Sequence, residues 1–315
     1  MTKPAGNFSI KFWGTRGSIP SPGPGTLKYG GNTSCLEIRC GGELIIIDAG
    51  TGIRDLGTKL LKEMPVKAAM LFSHMHWDHI QGMPFFRPAY VPGNEFKIYG
   101  SRDWDTKLEY VLRWQMQKPN FPITLEEVNE VGAHMEYIDI DSRTVFQVGD
   151  TDAITVRSVE LYHPDKAFGF RIEYGGRSLV YATDTESLPG PYEKLVELAL
   201  GADMLIHDAQ YTSEEYYGLD GVSRENWGHS TPEAAAAIAV AANVKKLVLF
   251  HHDPYHDDAQ VDQMVQTASA IFPDTIAASE GMVVELQPTA DQAEPHPEET
   301  NAPRLYSRLA SSVLE

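Results

Sequence analysis

The chain is 315 residues long, enough to bury a sizeable core as one large domain or two small ones. At 42% hydrophobic and 22% charged residues it has the composition of a soluble globular protein, and no apolar run approaches the roughly 20 residues of a membrane helix. A formal net charge of −18 argues against a protein that holds long nucleic acid by its phosphates, which takes a basic surface, but leaves room for a small anionic substrate.

The first residues, Met1 to Asn7, lack an apolar signal core, so a cytoplasmic location is the default. Phe8 to Trp13 alternates apolar and polar side chains, the period of a strand. The Gly- and Pro-dense stretch Gly14–Gly25 is a loop. Its Arg16 is placed to reach a phosphate or a neighbouring subunit, or simply to sit in solvent. Strands follow at Cys35–Arg39 and Leu44–Ile47, joined by a Gly41-Gly42 turn. Cys35 and Cys40 read as reduced core residues, because two thiols make no disulfide framework. The third strand ends in Asp48-Ala49-Gly50-Thr51-Gly52, a carboxylate at the lip of a tight turn. Ile53 to Met64 reads as a helix and Ala68–Phe72 as a buried strand.

That strand opens onto Ser73-His74-Met75-His76-Trp77-Asp78-His79, with three histidines and an aspartate inside six positions. Imidazole and carboxylate suit Zn²⁺, Mn²⁺ and Fe²⁺. His74 and His76 alternate by two, so an extended backbone points both the same way. Asp78 and His79 follow the turn and face a second position. A short helix limited by Pro84 is expected to begin after His79, at Ile80. Phe96–Tyr99 is a strand, Thr106–Met116 a helix and Lys118–Pro122 an irregular turn, in an excursion that also holds Trp104.

Strands at Tyr137–Ile140, Thr144–Val148 and Ile154–Glu160 lead to His163. Phe168–Glu173 and Ser178–Tyr181 form a hairpin around Gly175-Gly176 that delivers Asp184. A helix near Pro191–Leu200 precedes strand Met204–Ile206, which runs into His207-Asp208. A polar, aromatic loop then leads to His229. The Ala-rich helix Ala234–Ala242 follows, capped either by Ser230 in a capping box with Glu233 or by Thr231 ahead of Pro232. Strand Lys246–Phe250 runs into His251-His252, and helix Asp258–Ile271 and strand Met282–Leu286 close the fold. Beyond this, Pro, Glu, Ala, Gln and Ser dominate, so residues 1–286 read as one domain and 287–315 as a flexible tail.

Five strands thus end in a metal-competent residue: Asp48, His74, His163, Asp184 and His251. Strand ends at one edge of a layered β fold converge in space. On these residues and the HxHxDH stretch from His74 to His79, the chain resembles the metallo-β-lactamase fold superfamily over roughly residues 8–286. The HxHxDH form is similar to that of its phosphodiesterase and nuclease branch. Gly228-His229-Ser230-Thr231 before an Ala-rich helix, then Lys245 to His251, resembles the tRNA 3′-processing endonucleases (tRNase Z) and their cyclic-phosphodiesterase relatives.

The resemblance implies an α/β fold, a four-layer αββα sandwich of two mixed β-sheets flanked by helices. It implies two divalent metal ions, Zn²⁺ with Mn²⁺ as the alternative. His74, His76 and His163 would hold the first, Asp78, His79 and His251 the second, and Asp184 would bridge them. His252 beside His251 leaves a swap of register open. Asp48 looks like the family's aspartate that orients ligand histidines. The nucleophile would be a hydroxide bridging the metals, with Asp78 accepting a hydrogen bond from it. His229 would give a proton to the leaving oxygen, and Asp208 would keep it protonated.

Trp77, Tyr211, Tyr216, Tyr217 and Trp227 are candidates for holding a base. The family's tRNA endonucleases grip tRNA with a long arm, which in bacterial examples lies between the third-motif histidine and the bridging aspartate. Here only about twenty residues separate His163 from Asp184, and the hairpin fills them. The expectation is a dinuclear phosphodiesterase acting on a small phosphodiester, a cyclic nucleotide first. Long nucleic acid and membrane are not expected partners, and a homodimer is possible because relatives often dimerise. The alternatives are an RNA endonuclease of the tRNA 3′-processing type and a non-enzymatic metal-binding sensor or scaffold.

Overall fold

The computed structural model describes residues 6–101, 107–149, 154–186 and 192–287. The expected tail from residue 288 onward lies outside them, as do Trp104, Thr106 and Pro191. Strands β1 (Phe8–Gly14), β2 (Cys35–Cys40), β3 (Glu43–Ile47), β4 (Lys67–Leu71), β5 (Glu95–Ser101) and β6 (His134–Ile140) lie side by side in chain order. A second sheet holds β7 (Val145–Val148), β8 (Ile154–Glu160), β9 (Phe168–Tyr174), β10 (Arg177–Ala182), β11 (Met204–Asp208), β12 (Leu247–Phe250) and β13 (Thr275–Ala277). The last strand, β14 (Val283–Glu285), returns to pair antiparallel with β1, so each sheet has seven strands among the described residues.

Hydrophobic residues run without a break through the central strands because both faces are covered. In β3, Ile45 and Ile47 enter the layer between the sheets, while Leu44 and Ile46 face the other way. In β12, Val248 and Phe250 join the inner layer, and Leu247 and Leu249 face outward. The outer face of the first sheet packs on helices α1 (Ile53–Leu60), α3 (Leu108–Gln115) and α4 (Leu125–Val131) through Leu56, Leu60, Leu112 and Val128. The outer face of the second packs on α5 (Glu193–Ala199), α7 (Pro232–Ala241) and α8 (Asp258–Ser269) through Leu195, Ile238 and Met264. This is the four-layer αββα sandwich that the resemblance implied. Each Leu, Ile or Phe buried in these layers contributes about 1.5–3 kcal/mol.

Strand direction decides where the polar residues gather. β3, β4, β5 and β6 are parallel, and so are β10, β11, β12 and β13. β8 is antiparallel to β9, which is antiparallel to β10, so β8 runs with the parallel group. The carboxyl ends of β3, β4, β8, β10, β11 and β12 therefore open on the same edge, where α/β sheets place ligands. Asp48, His74, His163, Asp184, Asp208 and His251 stand at these ends.

Several element boundaries differ from expectation. The helix expected after His79 begins earlier, as α2 (Trp77–Ile80), and puts Asp78 and His79 inside its single turn. Strand β11 extends to Asp208 because His207 and Asp208 pair with Leu249 and Phe250 of β12. Among the α-helices and strands, three short elements were not foreseen: α4, α6 (Ser213–Tyr216) and β13. Thr231, not Ser230, caps α7: its hydroxyl accepts from the Ala234 amide, while Ser230 Oγ donates to the Thr185 carbonyl. Cys35 and Cys40 are both buried free thiols on β2, as read from the sequence.

Candidate dinuclear metal site

The turns that follow the strands are unusual. Asp48, Asp184 and His251 all have positive φ, at 58°, 57° and 62°. This left-handed region is uncommon for residues other than glycine and is found where surrounding structure imposes it. Each turn follows directly on a buried strand and swings its side chain over the sheet edge. Close packing completes the frame. A Cβ on Gly17 would lie 2.4 Å from the His251 ring, and one on Gly228 would lie 2.2 Å from His163.

The side chains fall into three overlapping sets that share Asp184, one of which, Asp184, Asp208, His229 and His251, takes in a histidine–carboxylate pair beside the other two. His74, His76, His163 and Asp184 bring one ligand atom each within 4.8 Å of one another, and so do Asp78, His79, Asp184 and His251. Oδ1 of Asp184 lies 3.5 Å from Nε2 of His74, and its Oδ2 lies 3.2 Å from Nε2 of His79 and 3.3 Å from Nε2 of His251. Asp184 thus stands between the groups, where a bridging ligand belongs. His251 enters the second group and His252 does not. The His252 Nε2–H donates to the Ala278 carbonyl at 3.0 Å, and burial pulls its pKa down to about 3.

The residues fit cations. Asp48 is buried and accepts four bonds: from the Ser73 amide and hydroxyl, from the Tyr181 hydroxyl and from Nδ1 of His79 at 2.8 Å. A carboxylate only accepts, so Nδ1 of His79 carries the proton. Its Nε2 is left facing Asp78 at 3.3 Å and Asp184 at 3.2 Å. A lone pair aimed at two carboxylates requires a cation between them, either a proton or a metal ion. Burial opposes a charge on His79, but Asp78, Asp184 and Asp48 outweigh it and raise its pKa well above the usual imidazole value. In the first group, Nε2 of His74 is buried without a hydrogen-bond partner. His163 turns its Nδ1 to the Asp165 carbonyl at 2.8 Å, and His76 Nε2 meets the Asp165 carboxylate at 2.8 Å.

Beside these groups stands a histidine–carboxylate pair. Nδ1 of His229 donates to Oδ2 of Asp208 at 2.8 Å, and Oδ1 of Asp208 accepts from the Ser230 amide. Burial disfavours the imidazolium, but Asp208, with Asp184 and Asp78 behind it, pushes the His229 pKa up to about 9. The ring stacks on His251 at 5.0 Å between centroids.

Two expectations are corrected. Arg16 does not reach a phosphate, a subunit or solvent. It is fully buried, and its guanidinium donates to the carbonyls of Gly30, Asp253 and His256 at 2.8 Å each, tying the first loop to the segment after β12. The candidate aromatics also divide. Trp77, Tyr217 and Trp227 are exposed, whereas Tyr211 is buried edge-on to His229 and the Tyr216 hydroxyl donates to Glu186.

The model of the family described as Beta-lactamase superfamily domain matches residues 44–252. The chain belongs to the metallo-β-lactamase superfamily. A relative named Ribonuclease Z, from Synechococcus sp. (strain CC9311), is 26% identical over 90% of this chain and 100% of its own length. Among solved structures, the metallo-beta-lactamase fold protein YhfI from Bacillus subtilis superposes with a TM-score of 0.66 at 18% identity, over 89% of this chain and 99% of that one. The human tRNase Z short form superposes with a TM-score of 0.58 at 23% identity, over 88% and 98%. These two structures share the fold with this superfamily member.

Sequence reasoning missed several residues that shape the site, Tyr181, Asp165 and Glu186 among them. Tyr181 supports Asp48 from a buried strand, where nothing marks one tyrosine from another. Asp165 follows His163 by two positions, a proximity that is a usable signal. Glu186 is buried and accepts from the Tyr216 hydroxyl and from the Asn226 and Gly228 amides, which anchors the loop leading to His229.

Proposed function

We propose that this chain is a dinuclear metal-dependent phosphodiesterase acting on a small phosphodiester, with a cyclic nucleotide as the leading substrate. The broader class, a metal-dependent hydrolase, follows from the superfamily membership and its Ribonuclease Z relatives. The observation that supports the finer reading is the placement of Asp184 between two groups of ligand-competent side chains, the second of them wholly buried, with His229–Asp208 alongside.

His74, His76, His163 and Asp184 would hold one divalent ion, and Asp78, His79, His251 and Asp184 the other. Imidazole–carboxylate sets of this kind suit Zn²⁺, with Mn²⁺ as the alternative. Two such ions would stabilise charge on the phosphoryl oxygens and lower the pKa of water. The protein's own residues do the rest. Asp48 holds His79 in one tautomer. Asp208 holds Nδ1 of His229, so Nε2 is the atom free to give a proton, and the raised pKa keeps that proton in place at neutral pH. The start of α7 adds the positive end of a helix dipole, of favourable polarity for phosphate charge. The exposed Trp77 and Trp227 are available to stack on a base. We assign the activity to residues 1–286 acting as one domain.

A small substrate is favoured over RNA by the segment between His163 and Asp184. It consists of the β9–β10 hairpin with a Gly175-Gly176 turn and has no room for an arm. The alignment with the Synechococcus relative runs over 340 positions although this chain has 315 residues, so that relative carries segments absent here. The RNA endonuclease reading stands second because relatives named Ribonuclease Z align along nearly the whole chain.

The test is a substrate panel on zinc- or manganese-loaded protein: cyclic mononucleotides, cyclic dinucleotides, bis(p-nitrophenyl) phosphate and pre-tRNA. Turnover of a cyclic nucleotide and of the nitrophenyl diester is expected, lost on His76→Ala. Cleavage of pre-tRNA alone, weakening steeply with salt, would hand the case to the endonuclease.

A further inference from the structure

Gln210 lies two residues past Asp208, just beyond β11, and is almost wholly buried. Its side-chain amide has four partners. Oε1 lies 2.9 Å from Nδ1 of His251. Nε2 lies 3.2 Å from each of the Ser18 hydroxyl, the Tyr211 hydroxyl and Oδ2 of Asp253. Two of these are rotors that can donate or accept. Asp253 is not, because a carboxylate only accepts. Asp253 therefore compels the amide NH₂ group to face it, and this turns Oε1 toward His251. An amide oxygen also only accepts, so Nδ1 of His251 must carry a proton.

The consequence falls on the opposite nitrogen. Nε2 of His251 is left as a lone pair, facing Oδ2 of Asp78 at 3.1 Å, Oδ2 of Asp184 at 3.3 Å and Nε2 of His79 at 3.3 Å. Asp208 does not serve this purpose. Its Oδ2 lies 3.6 Å from Nδ1 of His251 and already accepts from His229 at 2.8 Å. The labour is divided: Asp48 orients His79, Asp208 orients His229 and Gln210 orients His251. Gln210 is itself held by its backbone amide, which donates to Oδ1 of Asp208 at 3.1 Å. Its partner Ser18 uses its backbone amide to hold Oδ2 of Asp78 at 2.7 Å, so one network steadies two members of the second group.

We propose that Gln210, steered by Asp253, is the positioning residue that sets the His251 tautomer and thereby the affinity of the second group for its metal ion. The inference rests on the two-metal reading above. Partners behind a ligand histidine are typically worth about 10–100-fold in metal affinity.

Zinc titration of the metal-stripped full-length chain, by calorimetry with elemental analysis of the dialysed product, tests it. The unaltered chain is expected to bind two equivalents. Gln210→Leu should bind the first with unchanged affinity and the second about 10–100-fold more weakly. Long-range ¹H–¹⁵N spectra should show the Nδ1–H form of His251 in the unaltered chain and its loss in the variant. Asp253→Asn keeps the shape but allows the amide to turn round, so it should weaken the second ion by less and leave the first alone. It carries the test should Gln210→Leu fail to fold by circular dichroism. A folded Gln210→Leu that takes both ions with undiminished affinity overturns the proposal and leaves the two-metal reading standing. Equal weakening of both ions also overturns it, because a tautomer acts on one group. An unaltered chain that binds a single equivalent overturns both.

Discussion

In the proposed reaction, His229 is the side chain on which the leaving group would depend. Its ring is set by Asp208 at 2.8 Å and its pKa is pushed up to about 9, so it carries a proton at neutral pH. A ribose oxygen leaves poorly without that proton, whereas p-nitrophenolate leaves without help. His229→Ala is therefore expected to lower kcat on a cyclic nucleotide by about 10²–10⁴-fold. The same variant should slow bis(p-nitrophenyl) phosphate far less, and steady-state rates on the two substrates compare directly. An equal loss on both would remove His229 from proton transfer. At this scale much was legible. HxHxDH, His163, Asp184 and His251 could be picked out because each follows an apolar strand. The choice between His251 and His252 was not legible, since adjacent residues on a strand end differ only in which face they meet. Arg16 was misread for a related reason: a Gly- and Pro-rich loop does not announce that its arginine turns inward to three carbonyls.

Short elements were the hardest to foresee, although two of them carry a signal. Thr124 with Glu127 and Thr212 with Glu215 form reciprocal capping boxes at the starts of α4 and α6. The pattern is visible in the sequence, but one or two turns of helix add no apolar period to support it. The segment from α6 to α7 shows how such an element serves the site. Glu186 anchors it at Tyr216, Asn226 and Gly228, and Gly228 then passes against His163 with φ of 89°. Gly228→Ala must place a Cβ 2.2 Å from Cδ2 of His163 in a backbone conformation that side chains disfavour. The expected outcome is loss of about 1–3 kcal/mol of stability from the strained backbone, seen in thermal melts. Weaker binding of the first zinc ion should accompany it, seen by titration. An alanine variant with unchanged melting and zinc affinity would mean that this approach is not what places His163.

Stability of the whole molecule couples the two ends of the site edge. His256, in the segment that Arg16 holds, is buried and pairs through Nε2 with Glu215 at 2.9 Å, which ties α6 to the start of α8. Burial raises the Glu215 pKa, but the bonds from His256 and Thr212 outweigh it and hold it near about 2, against an ordinary value of 4.5. A carboxyl depressed by folding stabilises the native state above its unfolded pKa and loses that contribution as the pH falls through the folded one. The contribution should therefore be whole at neutral pH and fade between about pH 4.5 and about pH 2. Melting temperatures of Glu215→Gln should lie below those of the unaltered chain at pH 7 and converge with them near pH 2. Parallel curves across that window would exclude Glu215 as a source of acid sensitivity.

The layered α/β architecture was legible in the sequence through the family resemblance that the HxHxDH stretch and its partner residues carry, and the apolar strands alternating with helices agree with it because both sheet faces must be buried. The sequence by itself determined the metal-competent residues, because their chemistry is written in residue type and in their position after a strand. Tertiary structure alone decided how they assemble. Parallel strand directions brought six carboxyl ends to one edge, left-handed turns at Asp48, Asp184 and His251 aimed the side chains, and Asp184 fell between two groups. Other partners were invisible: Tyr181 lies far in the chain from the Asp48 it supports, and nothing in the order of residues says that Gln210 and Asp253 meet each other 43 positions apart. A hydrogen bond fixes a tautomer through distance and direction, and neither is encoded in the spacing of residues along a sequence.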